Sequence, residues 1–201
     1  PLATPANRPL LLWSAAVAFA LGLAMQIGFI THHVTLAEPL IGTAAAGLLV
    51  SATGGSALIG RLILARIVDG VAVRKLACVV MIAQAAALLS LALWQTVPVL
   101  VMASLVYGYG IGHITTLGPI VVRREFGAAA FGATYGSAAS VIQFTSAFGP
   151  AIIGVLRDSF GDYRPGLAIA SAATLTACLI LFTGGRLAAR SARQGAGHGR
   201  H

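Results

Sequence analysis

The stretch LLLWSAAVAFALGLAMQIGFIT (Leu10–Thr31) carries no charged residue, and its polar side chains are Ser14, Gln26 and Thr31. A run of this kind matches the about 20 apolar residues that a helix needs to cross a hydrocarbon core. Reading outward from it, five further segments have the same character: Thr43–Ile67, Leu76–Leu93, Val97–Val122, Ala128–Leu156 and Pro165–Phe182. The breaks between them, His33–Pro39, Asp69–Lys75, Gln95–Pro98, Arg123–Gly127 and Arg157–Arg164, hold turn or charge signals. Alternation of period two, the mark of a membrane β-barrel, is missing. Composition agrees, since 58% of the chain is hydrophobic and 9% is charged, against about 25% charged in soluble domains. The expected fold is an all-α membrane protein with six transmembrane helices. Residues 1–9 read as the end of a linker, 10–185 as the helical bundle, and 186–201 as a basic cytoplasmic tail, disordered from Ser191.

Charge sets an orientation. Six spans put both termini on one side with the second and fourth connections. That side holds Arg8, Arg66, Arg74, Lys75, Arg123, Arg124, Arg186, Arg190, Arg193 and Arg200, whereas the other holds Arg157 and Arg164. The positive-inside bias then places both termini in the cytoplasm. The formal net charge of +8 is therefore topological, and nucleic acid is not an expected partner. Cys78 and Cys178 lie inside apolar runs, which reads as core packing without a disulfide framework or metal-ligand spacing.

No enzyme constellation is visible. Thr115 and Thr116 near His113 lack a neighbouring carboxylate, and the acids fall in connections. No phosphate-binding loop of Walker type occurs, so neither a cofactor nor ATP-driven transport is expected of this chain.

Arg61 is the most informative residue. It lies inside the second span, about 10 Å from the end at the helical rise, with no acid three or four residues away. An intramembrane arginine is expensive and faces a cavity or pathway as a rule; it also reaches headgroups by snorkelling. Both readings stay open at this point. Gln26 in the first span and Tyr107, Tyr109 and His113 in the fourth complete a candidate cavity. His113 either relays a proton or packs as a neutral, hydrogen-bonded ring, and His32 and His33 are expected at the outer surface. Gly47, Ser51 and Gly55 on the second span, and Gly132, Gly136 and Ser140 on the fifth, form small-residue ridges suited to close helix contact. Pro119 and Pro150 are expected to kink their helices.

The segment GRLILARIVDGVAVRK (Gly60–Lys75) resembles the cytoplasmic loop signature of the major facilitator superfamily. Gly60, Arg61, Asp69 and Arg74 match it, while Ala65, Gly70 and Ala72 stand where Gly, Arg and Gly are usual. A second region, with Arg124, Phe126, Gly127, Phe131, Gly132, Tyr135, Gly136, Phe148, Gly149, Pro150, Gly154, Asp158, Gly161, Tyr163, Arg164 and Pro165, is similar to the eleventh-helix region of the monocarboxylate and oxalate–formate exchanger branch. Phe29, His32, His33, Ala44 and Ala45 are similar to the join upstream in the same branch. The resemblance runs from Leu10 to Phe182 and covers the carboxyl-terminal half of a carrier.

The resemblance implies two inverted three-helix repeats and secondary transport of a small organic anion across a bacterial inner membrane. It implies that Arg61 faces the substrate carboxylate; the neighbourhood in which the oxalate exchanger carries a lysine reads Val141, Ile142, Gln143 here, without a lysine, which favours a monocarboxylate. It implies a cytoplasmic gating loop built on Gly60, Asp69, Arg74 and Lys75, with Asp69 at the start of the fifth helix; the alternative is that Asp69 only offsets Arg66, Arg74 and Lys75. The lipid bilayer, a coupled proton, and an amino-terminal six-helix half or partner chain are the remaining expected partners. The competing class is a six-helix membrane scaffold that transports nothing.

Overall fold

The computed structural model describes residues 3, 4 and 7–198, with side chains as far as Ser191. It is helical throughout, with no strand among the described residues, and six of its helical stretches are long and apolar enough to cross a membrane. They are α1 (Arg8–Ile41), α2 (Thr43–Ile67), α3 (Val73–Leu93), α4 (Val97–Phe126), the pair α5 (Ala128–Ser146) and α6 (Gly149–Phe160), and α7 (Arg164–His198).

Several boundaries differ from the sequence reading, each for a local reason. α1 has Pro9 in its first turn, where the missing N–H costs nothing. It continues past Thr31 to Ile41 and stops at Gly42, whose φ of 79° suits a residue without a β-carbon. Its 34 residues span about 51 Å, well beyond the about 30 Å hydrocarbon core, so His32 and His33 fall on a helix and not in a loop. The fifth span is broken at Ala147 and Phe148, and Pro150 lies in the first turn of α6. α4 continues through Pro119 as one helix. α7 remains helical through Arg186–His198, so the tail expected to be disordered from Ser191 is helical as far as it is described. At the other terminus the linker reading falls partly outside the described residues, yet Ala3 donates its N–H to the carbonyl of Glu125 at 2.9 Å.

Contacts between connections define the two ends. The start of α3 meets the start of α1, the end of α4 and the late part of α7 through Arg74. At the opposite end, the Gln95 side chain between α3 and α4 donates to Asp162 Oδ1 at 3.2 Å. Asp162 also accepts the Arg164 backbone N–H at 3.1 Å and pairs with the Arg164 guanidinium at 3.5 Å. Partial burial works against its ionisation, but these donors hold its carboxyl below the usual carboxylate range.

Four helices form a frame: α3 packs on α4 and α7, and α1 packs on α7 and α4. The second and fifth spans lean on it from outside, α2 against α4, and α5 with α6 against α1. Glycine makes both contacts intimate. A β-carbon on Gly112 would strike the backbone carbonyl of Ala57, and one on Gly149 would strike that of Ala24. The leaning helices remain uncovered on their far side. Only 22% of the apolar stretch is buried in α2 and in α5–α6, against 61% in α1.

This packing separates two kinds of glycine. Gly112→Val forces α4 off α2 and costs about 1–3 kcal/mol or more, which a lowered thermal midpoint in detergent will report. Gly136→Val, where nothing lies within 4 Å, leaves that midpoint nearly unchanged.

Candidate functional site

Arg61 sits on the uncovered side of α2, and its Nη2 donates to Thr115 Oγ1 on α4 at 3.2 Å. Its side chain is exposed and has no ion-pair partner among the described residues. Thr115 lines a small cavity of about 200 Å³ between α1, α4 and α5, together with Phe19, Pro119, Tyr135 and Gln143. A guanidinium with donors to spare is thus bonded to the hydroxyl of one wall of a hollow that also offers a phenol and an amide. Those groups are suited to an anion, because the guanidinium fork matches a carboxylate and stays charged when desolvated.

Of the sequence candidates, Arg61 bonds Thr115, and Gln143 lines the same hollow as Thr115. The others lie elsewhere. Gln26 and Tyr107 are buried inside the bundle, and Gln84 Nε2 of α3 bonds both the Gln26 side chain at 3.3 Å and the Tyr107 carbonyl at 3.4 Å. They stitch α1, α3 and α4 together and do not line the hollow beside Arg61. Tyr109 and His113 border a different groove, of about 440 Å³, walled by Leu76, Val79, Val80 and Val106. There His113 Nδ1 donates to the Tyr109 carbonyl one turn back at 3.0 Å, and the ring packs on Gly60. His32 and His33, expected to face water, are engaged as well. His33 shares a 2.8 Å hydrogen bond with Ser104, and His32 Nε2 donates to the Pro150 carbonyl at 3.0 Å.

The loop after α2 adopts a short 3-10 turn, Val68–Gly70. Asp69 pairs there with Arg124 Nη2 at 3.0 Å, while the same guanidinium bonds the carbonyls of Val68 and Val71. The start of α5 has Gly127 at its cap and no side-chain capping bond, so Asp69 fastens the loop to the end of α4 and does not cap α5. Arg74 is the deeper member. Its Nε and Nη2 grip both oxygens of Glu125, Nη2 at 2.9 Å, and Nη2 also reaches the Leu11 carbonyl at 2.8 Å. Nη1 donates to the Leu181 carbonyl at 2.8 Å and to Ser14 Oγ at 3.2 Å. All five guanidinium N–H groups are thereby used, and Gly185 of α7 leaves room for the stem.

Glu125, Thr115, Tyr135 and Gln84 were not among the site residues read from the sequence. An acid in the connection after Val122 reads as solvated, yet Glu125 is only 3% exposed. The available signal was Arg74, near the start of α3, but its pairing with Glu125 spans 51 residues of chain.

No protein-family model matches the chain, and no curated protein matches it either.

Removing one partner of a buried, hydrogen-bonded ion pair costs about 3–5 kcal/mol. Glu125→Ala should therefore lower unfolding stability in micelles by that amount, because Arg74 is left charged and enclosed. Asp69→Ala, at a side chain 97% exposed, should change it little.

Proposed function

We propose that the chain is one half of a secondary carrier of the major facilitator type, and that it moves a small monocarboxylate-like anion by alternating access. The observation that carries this reading is Arg61: an arginine within an apolar span, bonded only to Thr115 among the described residues, on the side of the bundle that its own helices leave uncovered. A snorkelling residue needs no hydroxyl partner on a neighbouring helix and no polar hollow beside it.

The helix arrangement supports the inverted-repeat part of the reading. Exchanging the first span for the fourth, the second for the fifth and the third for the sixth turns the α2–α4 contact into the α5–α6 contact with α1. The same exchange turns α3–α4 into α7–α1. Carriers built from such repeats bind substrate near the midplane, where the repeats meet. Gly47, Gly54, Gly55, Gly132 and Gly136 all face open space, which suits a second six-helix half closing over Arg61 and completing the cavity. The basic residues gathered at one end suit cytoplasmic termini in a bacterial inner membrane. A single cation, with Gln143 in place of a second one, suits one carboxylate better than two.

A non-transporting scaffold would use the same uncovered ridges without needing Arg61. Uptake of a labelled monocarboxylate into proteoliposomes holding this chain with its complementary half separates the two readings. A charged hydrogen bond lost at Arg61→Ala weakens binding about 10- to 100-fold, so carboxylate uptake should collapse while the protein still inserts. Arg61→Lys keeps the charge, loses the fork and should be impaired too. Near-normal uptake by the lysine variant would leave Arg61 as an interfacial anchor.

A further inference from the structure

At the basic end, a cavity of about 490 Å³ opens between the starts of α1 and α3 and the late part of α7. Its walls are mostly apolar, Leu11, Ala72, Phe182, Ala188 and Ala189, with Asn7 among them bonded to the Ala188 carbonyl. Its floor is the Arg74–Glu125 pair, whose charges are spent on each other and on the carbonyls around them. The positive charge left over stands at the rim. Lys75 is exposed and makes no hydrogen bond or ion pair among the described residues. Arg186 lies over the Phe182 ring, 4.9 Å from its centroid, and likewise has no carboxylate partner there. Among the described residues, Glu125 is the one acid lining the cavity. The first turn of α3, which opens beside it, has neither an acidic residue nor a side-chain cap, so its positive dipole end adds to the same field.

We propose that this cavity holds an anionic phospholipid of the adjoining leaflet, with the phosphate on Lys75 and Arg186 and the upper acyl chain against Phe182 and Leu11. Apolar walls joined to a basic rim are the complement of a lipid, since a free anion gains nothing from the walls and a neutral lipid gains nothing from the rim. The chain's own tail has the wrong sign to fill the cavity, because it carries Arg193 and Arg200. Bound there, the lipid seals the cavity mouth beside the buried ion pair and keeps water from it.

Native mass spectrometry of the full chain in detergent tests this directly, with phosphatidylglycerol and phosphatidylcholine of identical acyl chains. One phosphatidylglycerol should stay bound at collision energies that strip phosphatidylcholine. Lys75→Gln with Arg186→Gln should lower its retention about 30-fold. Arg66→Gln with Arg123→Gln, which removes equal charge from the same end outside the cavity, should leave retention unchanged. Ala189→Phe should evict the lipid with every charge intact, a readout that does not depend on the charge variants. Equal retention of both lipids would overturn the proposal. So would retention unaffected by the Lys75 and Arg186 changes, or displacement by millimolar inorganic phosphate, which would mark a site for the free ion.

Discussion

The guanidinium of Arg74 is the fixed point of this bundle. An arginine drawn into the end of a membrane protein is tolerable only where its five donors are all met. Here they are met by Glu125 of α4, Leu11 and Ser14 of α1, and Leu181 of α7, with Arg74 itself on α3. One side chain therefore ties four helices at a single level. Those four are the frame, and the two spans that contribute nothing to the knot, α2 and the α5–α6 pair, are the two left most open.

The open spans are held by a different force. Lipid offers no hydrophobic drive between helices, so contact must come from close backbone approach. α2 obtains it through Gly108 and Gly112 of α4, and α6 obtains it through its own Gly149 against Ala24. Both attachments use one flank of the helix and leave the other free. The consequence is open space beside Gly47 and Gly55 of α2 and Gly132 and Gly136 of α5, with Arg61 of α2 exposed and bonded to Thr115. A charged and hydrogen-bonding group in a membrane span is stable only beside water or a partner.

Much of the fold was legible in the sequence because apolar length is a local property. The bounds of α2 agree with the reading at both ends, Thr43 and Ile67, since Gly42 and the Asp69 turn flank it. α1 runs past the expected break to Ile41, and within that extension His33 meets Ser104 across the bundle, a bond that no local signal announces. The site was legible only in part. Arg61 stands out in any apolar run, whereas Gln26 is a polar residue whose partner, Gln84 of α3, is known only once the helices are packed. Polarity in a span marks a need for a partner and does not say whether that partner is substrate or protein.

The central claim is that the uncovered side around Arg61 lines a water-filled cavity in the membrane. Gln143→Cys places a thiol at that hollow, while both native cysteines are buried. In membranes from cells making the native gene product, a charged, membrane-impermeant thiol reagent should modify this cysteine, and a small monocarboxylate should slow the reaction. A cysteine that ignores the charged reagent and yields only to a lipid-soluble maleimide would put Gln143 against lipid and contradict the account.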